Sequence, residues 1–408
     1  MLKEILDSAK LEPSFCASLL GIAPDQFGEW VSGVKPVPAF ILPELSTILG
    51  VPESVLTERR KRKCTDESLL APVIRFKLRE ERLHQADRET VGLIRKLGFY
   101  IANLQRVTGE CPLAYRSHFR EIRATVKVTA PPALQGRDGA RIFRNLTGLS
   151  QGKEGIGEIL RPCLRGAGVL IVESPLPKSE VEGCAFNVGS DENLTPCIYT
   201  NTFKSTWFRR NLILCHELAH AVFDLDSEQF MADFLGQDNK TLQELRASAF
   251  AVECMLPKSV LIHLQNQLGI NWESLSEQQL ASLVARSHVE QRVVLSAALA
   301  AELIDEEHYD TYDAMAIGDL LRKVSDRAVS TSEYLKQTAA ASPLWVSQNR
   351  TANVGLRRLR LPAGYVQRVL EARNDGLISN RKAAEMMMMD FDIFDQRFPR
   401  SEQALDVA

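Results

Sequence analysis

No stretch of the 408 residues approaches the about 18 uninterrupted apolar residues that would cross a bilayer, which argues against membrane insertion. The best apolar run, Gly168-Val169-Leu170-Ile171-Val172, has the length of a buried strand. The start, Met1-Leu2-Lys3-Glu4-Ile5-Leu6-Asp7, mixes acids and bases and lacks both the apolar run and the small-residue cleavage site of a secretory signal, so a cytoplasmic location is expected. Eight cysteines are present, but they are scattered, with no CxxC pair and no dense cluster. That excludes a small disulfide-stapled scaffold and favours reduced, mostly buried thiols. A strong charge of one sign is missing too: the formal net charge is -3 with 25% charged residues, a balance that points to no class of partner. No internal repeat of fixed period appears. The length leaves room for two or three domains and at least one full core.

Residues 1–58 read as short apolar-periodic helices broken by turn signals: Leu2 to Leu11, Ser14 to Gly21, Pro24 to Ser32 and Ile41 to Leu49. The helix Ser14-Phe15-Cys16-Ala17-Ser18-Leu19-Leu20, the turn Gly21-Ile22-Ala23 and the next helix with Phe27 and Trp30 form a helix-turn-helix pattern. With the ending Leu45-Ser46-Thr47-Ile48-Leu49-Gly50-Val51, this segment resembles the phage-repressor DNA-binding domain of the Cro/C1 type. A DNA reader carries cationic or amide side chains where its second helix meets bases and phosphates. Here that helix offers Asp25, Gln26 and Glu29, and residues 1–58 hold three lysines against eight acids, which opposes approach to a phosphate backbone. The run Arg59-Arg60-Lys61-Arg62-Lys63 is strongly basic. It reads equally well as a solvated linker or as a phosphate-contacting arm.

Residues 65–127 read as helical and mixed in charge, with Val91 to Leu97 as an apolar stripe, and are expected to connect or brace the domains. Pro131-Pro132 marks a boundary, after which helices (Ala140 to Thr147, Ile156 to Leu164) give way to strand-like runs at Val169 to Val172, Gly183 to Asn187 and Pro196 to Thr200. A long helix, Trp207 to Phe223, and a second from about Leu242 to Met255 follow, then one opened by Pro257. Beyond Asn271 the chain is helical again, ending in a helix, an Asp375-Gly376 turn and another helix. Seven basic residues stand against two acids between Gly355 and Lys382, the pattern of a solvated basic face or of a partner-binding element. The run Met386 to Met389 reads as core or contact filling. The expected fold is α+β and predominantly helical, with boundaries at 1–58, 59–130, 131–270 and 271–408.

The chemistry is concentrated in His216-Glu217-Leu218-Ala219-His220. Positions four apart share one face of a helix, so both imidazoles can turn toward one ion, as zinc requires of neutral nitrogen ligands. Glu217, one position round, sits near the ion without ligating it, and can take a proton from a water that the metal has made acidic and pass it to a leaving amine. The flanking Leu212, Ile213, Leu214, Leu218, Ala221 and Val222 make the helix largely buried. Cys215 lies about 100° round from His216 and faces the core. Catalytic zinc sites take three protein ligands. Asp224, Asp226, Glu228, Asp233, Glu244 and Glu253 are available. Glu244 is chosen because it opens a separate helix whose small residues Ala247, Ser248, Ala249 and Ala251 permit close packing, whereas Asp224 sits a turn along the same helix on a short side chain. For an oxyanion donor the one candidate is Tyr199, on the strand before the helix, which reads more readily as an ordinary strand aromatic. His263 and His288 read as structural or exposed.

These residues resemble the ImmA/IrrE family of zinc metallopeptidases. The resemblance rests on Arg209-Arg210-Asn211-Leu212-Ile213-Leu214 leading into His216, then Glu244, Ala247, Phe250-Ala251 and Met255-Leu256-Pro257, and it covers about residues 135–300. It implies a zincin-like core binding Zn2+ and, from characterised relatives, site-specific cleavage of a repressor-type transcription factor in a stress response or during mobile-element induction. The expected partners are a protein substrate of helix-turn-helix repressor type and a second copy of the chain in a homodimer, with DNA left open for the acidic N-terminal segment. The competing expectation is a DNA-binding regulator or antitoxin-like protein that uses a latent peptidase fold as a sensor or dimerisation module.

Overall fold

The computed structural model describes residues 2–9, 11–57, 85–109, 113–149, 154–176, 179–188, 195–203, 205–224, 230–234, 241–325, 345–347 and 358–399. The basic run 59–63, Asp226 and Glu228 lie outside these. Helices α1 (Leu2–Ala9), α2 (Pro13–Leu19), α3 (Pro24–Val31) and α4 (Leu42–Leu49) open the chain, each end within two residues of the four helices expected there, and a short α5 (Glu53–Thr57) that was not expected follows. Prolines in the first turns of α2 and α3 start them with a preset φ at positions that need no N–H donor. Gly50, at φ 64°, ends α4 in a left-handed cap. Their apolar faces meet in a core of their own around Leu6, Cys16, Phe27, Trp30 and Leu45.

Helix α6 (Gln85–Thr108) crosses α4 at Gly92, where a Cβ would fall 1.7 Å from the Thr47 carbonyl oxygen, so only glycine fits. Helices α7 (Leu113–Thr125), α8 (Pro132–Leu146) and α9 (Gly157–Gly166) lead into β1 (Leu170–Ser174), β2 (Val181–Val188) and β3 (Thr195–Asn201). After α10 (Trp207–Phe223) comes a fourth strand, β4 (Phe230–Phe234), which the sequence reading did not anticipate. The sheet order is β1-β3-β2-β4. β1 runs parallel to β3 with Leu170 opposite Cys197, and β2 runs antiparallel to both β3 and β4.

Both faces of this sheet are apolar, so both must be covered. On one face Ala185 and Ile198 join α8, α10 and α11 (Leu242–Met255) through Phe143, Leu218, Phe250 and others. On the opposite face Cys184, Phe186 and Tyr199 pack with Leu97 and Tyr100 of α6 and with Tyr365, Val369 and Met387 from the C-terminal helices. The molecule is therefore helix, sheet, helix in layers. Residues 85–108, expected to connect or brace the domains, form part of a core layer, and the methionine run supplies filling for the same layer. The first core also runs without a break from Phe119 to Ile317, through helices Glu277–Ser287 and Gln291–Ala300. No single described helix is long and apolar enough to cross a membrane.

Candidate metal centre

The lead into α10 fixes the helix before the histidines are reached. Thr206 caps it, its hydroxyl accepting the Arg209 N–H at 3.1 Å. Arg209 pairs with Glu182 of β2 at 2.7 Å. Arg161 of α9 donates to Asn211 Oδ1 at 2.8 Å and grips both carboxylate oxygens of Glu173 on β1. Asn211 donates in turn to the His288 carbonyl at 3.0 Å. This basic-polar lead ties α10 to the sheet and to the helix that ends at His288. His288 stacks edge-on against Trp207 and is structural, as expected.

One and two turns along, His216 and His220 bring their Nε2 atoms to 3.1 Å of each other. Glu244 opens α11, held there by Thr241, whose hydroxyl accepts the Glu244 N–H. α11 can come this close because Gly136 of α8 leaves room behind it: a Cβ there would lie 2.2 Å from the Arg246 carbonyl oxygen. The Glu244 carboxylate then stands 3.1 Å from His216 Nε2 and 3.5 Å from His220 Nε2. A tetrahedral ion with bonds of about 2.0–2.1 Å spans ligand pairs of about 3.3 Å, and two imidazoles with one carboxylate form a zinc donor set of the catalytic kind, so these three residues fit zinc. Burial works against ionisation of Glu244, yet hydrogen bonds and charge from His216 and His220 outweigh it and hold the carboxyl well below the usual carboxylate range. His220 is fully enclosed, whereas 15% of the His216 side chain and 12% of that of Glu244 reach solvent, so the cluster opens on one side.

Glu217 is fully buried and lies against β2, where Gly183 makes the space: a Cβ on that residue would sit 2.6 Å from Glu217 Oε1 and 2.6 Å from the Ile213 side chain. Glu217 directly follows His216 on α10 and is not one of the three grouped side chains, so its carboxylate stands outside the ligand set. Residues 165–286 match the family model described as the IrrE N-terminal-like domain, a peptidase family. The match covers under a third of the chain and contains β1 to β4, both histidines and Glu244. No match was found among curated proteins or solved structures.

Within the IrrE-like segment, the other candidate ligands are placed elsewhere. Asp224 accepts from the outer nitrogen of His220, Nδ1, at 2.8 Å, so it supports a ligand instead of being one. Glu253 pairs with Arg141 at 2.9 Å near the far end of α11. Asp233 lies on β4, opposite Gly183 in register. Tyr199 is placed as an ordinary strand aromatic and not as an oxyanion donor: it is completely buried in the layer beneath the sheet, and its hydroxyl faces the Ser174 carbonyl at 3.4 Å. Burial pushes its pKa well above the ordinary value, and it has no route to the cluster. Tyr199→Phe is therefore expected to cost about 0.5–1.5 kcal/mol in denaturant unfolding and to leave cleavage unchanged, whereas a hundredfold loss of rate in the folded variant would contradict this placement.

Sequence reasoning missed three residues of the IrrE-like segment that shape the site. Gly183 left no signal, because a glycine in a strand marks a close approach without naming the visitor. Asp224, four residues after His220, was visible as a neighbour of the ring, and the rule that a ligating imidazole donates its second N–H to a carboxylate would have found it. The role of Arg246, which donates to Asp224, depends on how α11 packs.

Proposed function

We propose that the chain is a zinc-dependent endopeptidase in which His216, His220 and Glu244 hold the metal and Glu217 is the general base. The observation that carries this reading is the buried Glu217 carboxylate in its notch at Gly183, on the residue that follows His216 and outside the three-residue cluster. A centre that only stores metal or braces the fold needs the ligands but has no use for such a group. Zinc in this set supplies Lewis acidity toward water and toward a scissile carbonyl. Glu217 takes the proton from the attacking water, keeps it within the closed notch, and delivers it to the leaving amine. The open side at His216 and Glu244 admits the substrate chain.

The substrate suggested by the family resemblance is a repressor-type transcription factor, and the N-terminal helices, with three lysines against eight acids in residues 1–58, suit a protein partner better than a phosphate backbone. The test is incubation of the zinc-loaded chain with purified helix-turn-helix repressors encoded near its gene, with fragments read by mass spectrometry. Fragments that vanish with Glu217→Gln support the proposal. Intact repressors together with retention of operator DNA by the full chain would instead favour a regulator that keeps the peptidase fold as a sensor.

A further inference from the structure

The three metal-facing side chains come from two helices, so something must set α10 and α11 against each other to within a few tenths of an ångström before any ion arrives. We infer that Arg246 and Asp224 are that device, a positioning clamp behind the centre, on the side away from the substrate. The inference rests on the metal-site reading above.

Asp224 caps the C-terminal end of α10, and its side chain is 2% exposed. One carboxylate oxygen accepts from His220 Nδ1 at 2.8 Å, while the other accepts from Arg246 Nη2. The carboxylate therefore joins a ligand of α10 to a side chain of α11 only two residues beyond Glu244. Arg246 is itself seated: its other terminal nitrogen donates to Gln135 Oε1 at 3.0 Å, and its guanidinium lies 5.0 Å from the centre of the Phe223 ring. Gln135 is anchored by donating to the Val128 and Ala130 carbonyls at 2.9 and 2.7 Å. From the far side, Arg123 of α7 donates to the Ala221 and Val222 carbonyls, which fixes the last turn of α10.

The chain of contacts runs from α8 through Arg246 and Asp224 to His220. It does two things that a carboxylate alone would not. A fork-shaped guanidinium neutralises a buried carboxylate and fixes its plane. With its plane fixed, that carboxylate holds the imidazole as the tautomer with hydrogen on Nδ1, leaving the Nε2 lone pair aimed at the point shared with His216 and Glu244. Arg246 thus acts on the metal only through Asp224, and it moves with Glu244 because both stand in the first turns of α11.

The test uses the full chain and zinc alone as probe. Zinc affinity is measured by competition with a chromophoric chelator for the wild type, Asp224→Ala, Asp224→Asn, Arg246→Gln, Arg246→Lys and the Asp224→Ala/Arg246→Gln pair, with circular dichroism confirming each fold. The expected result is a 10–100-fold loss of affinity for Asp224→Ala, a loss in the same direction for Arg246→Gln and partial recovery in Arg246→Lys. Because Arg246 works through Asp224, adding Arg246→Gln to Asp224→Ala should change affinity less than twofold. The visible bands of the cobalt-substituted protein should shift in both single variants, a signature that loss of mere bracing would not produce. Asp224→Asn, nearly the same shape, keeps the test open if the alanine variant fails to fold. Folded variants that bind zinc as the wild type does, or an Arg246→Gln loss of the same size with and without Asp224, overturn the clamp and leave the metal centre standing. A wild type that takes up no zinc overturns both.

Discussion

Glu217→Gln is expected to keep one zinc per chain and to lower cleavage by about 10²- to 10⁴-fold, the range that a positioned general base contributes. The amide has the shape of the carboxylate it replaces, so it fits the notch beside Gly183 and leaves His216, His220 and Glu244 where they are. Stability should hold, since a fully buried carboxyl group is exchanged for an amide of the same shape. Measuring kcat/KM together with metal content separates the two roles: wild-type zinc with a collapsed rate assigns the base, and a rate within a few-fold of wild type would strike Glu217 from the mechanism. Gly183→Val approaches the same question from the strand. Its side chain must enter space within 2.6 Å of Glu217 Oε1, so it displaces the carboxylate without touching a ligand, and cleavage should fall while zinc stays bound.

What could be read in the sequence was what is local. Helix Trp207–Phe223 was legible at both ends, because its apolar stripe and the four-residue spacing of the histidines lie within one segment. Glu244 was legible because small residues follow it on the next helix, a local cue to close packing. The second face of the sheet was not legible. The stripe Val91 to Leu97 announced an apolar surface but could not say that it would meet Met387, nearly three hundred positions away. The side taken by Tyr199 was not legible for a related reason: every residue of β3 is buried, so the alternation that normally tells which way a strand residue points was missing. β4 failed because Phe230-Met231-Ala232-Asp233-Phe234 has no β-branched residue, and a glycine-bearing run, Gly236-Gln237-Asp238-Asn239, follows it on one side only.

Withdrawing the metal should have the largest effect on stability. An ion that binds only the folded chain adds RT ln(1 + [L]/Kd), about 4 kcal/mol when free zinc stands at a thousand times its dissociation constant. Denaturant unfolding of the wild type in excess zinc and in excess chelator should therefore differ by about that amount, and the difference should vanish in His216→Ala/His220→Ala. Glu244 makes this sharper. Without a metal, hydrogen bonds and charge from the two imidazoles hold its carboxyl well below the usual carboxylate range, so the three side chains already stand together. Glu244→Ala removes the anion from that cluster and the only ligand contributed by α11, leaving two nitrogens on one helix. Zinc then no longer bridges α10 to α11, and most of its stabilisation should disappear even where weak binding persists. A full wild-type difference in Glu244→Ala would mean that zinc does not use α11 at all. In that event the 3.1 Å approach of Glu244 to His216 would be a salt bridge that the fold keeps for its own stability, and the third ligand would have to come from elsewhere in the chain.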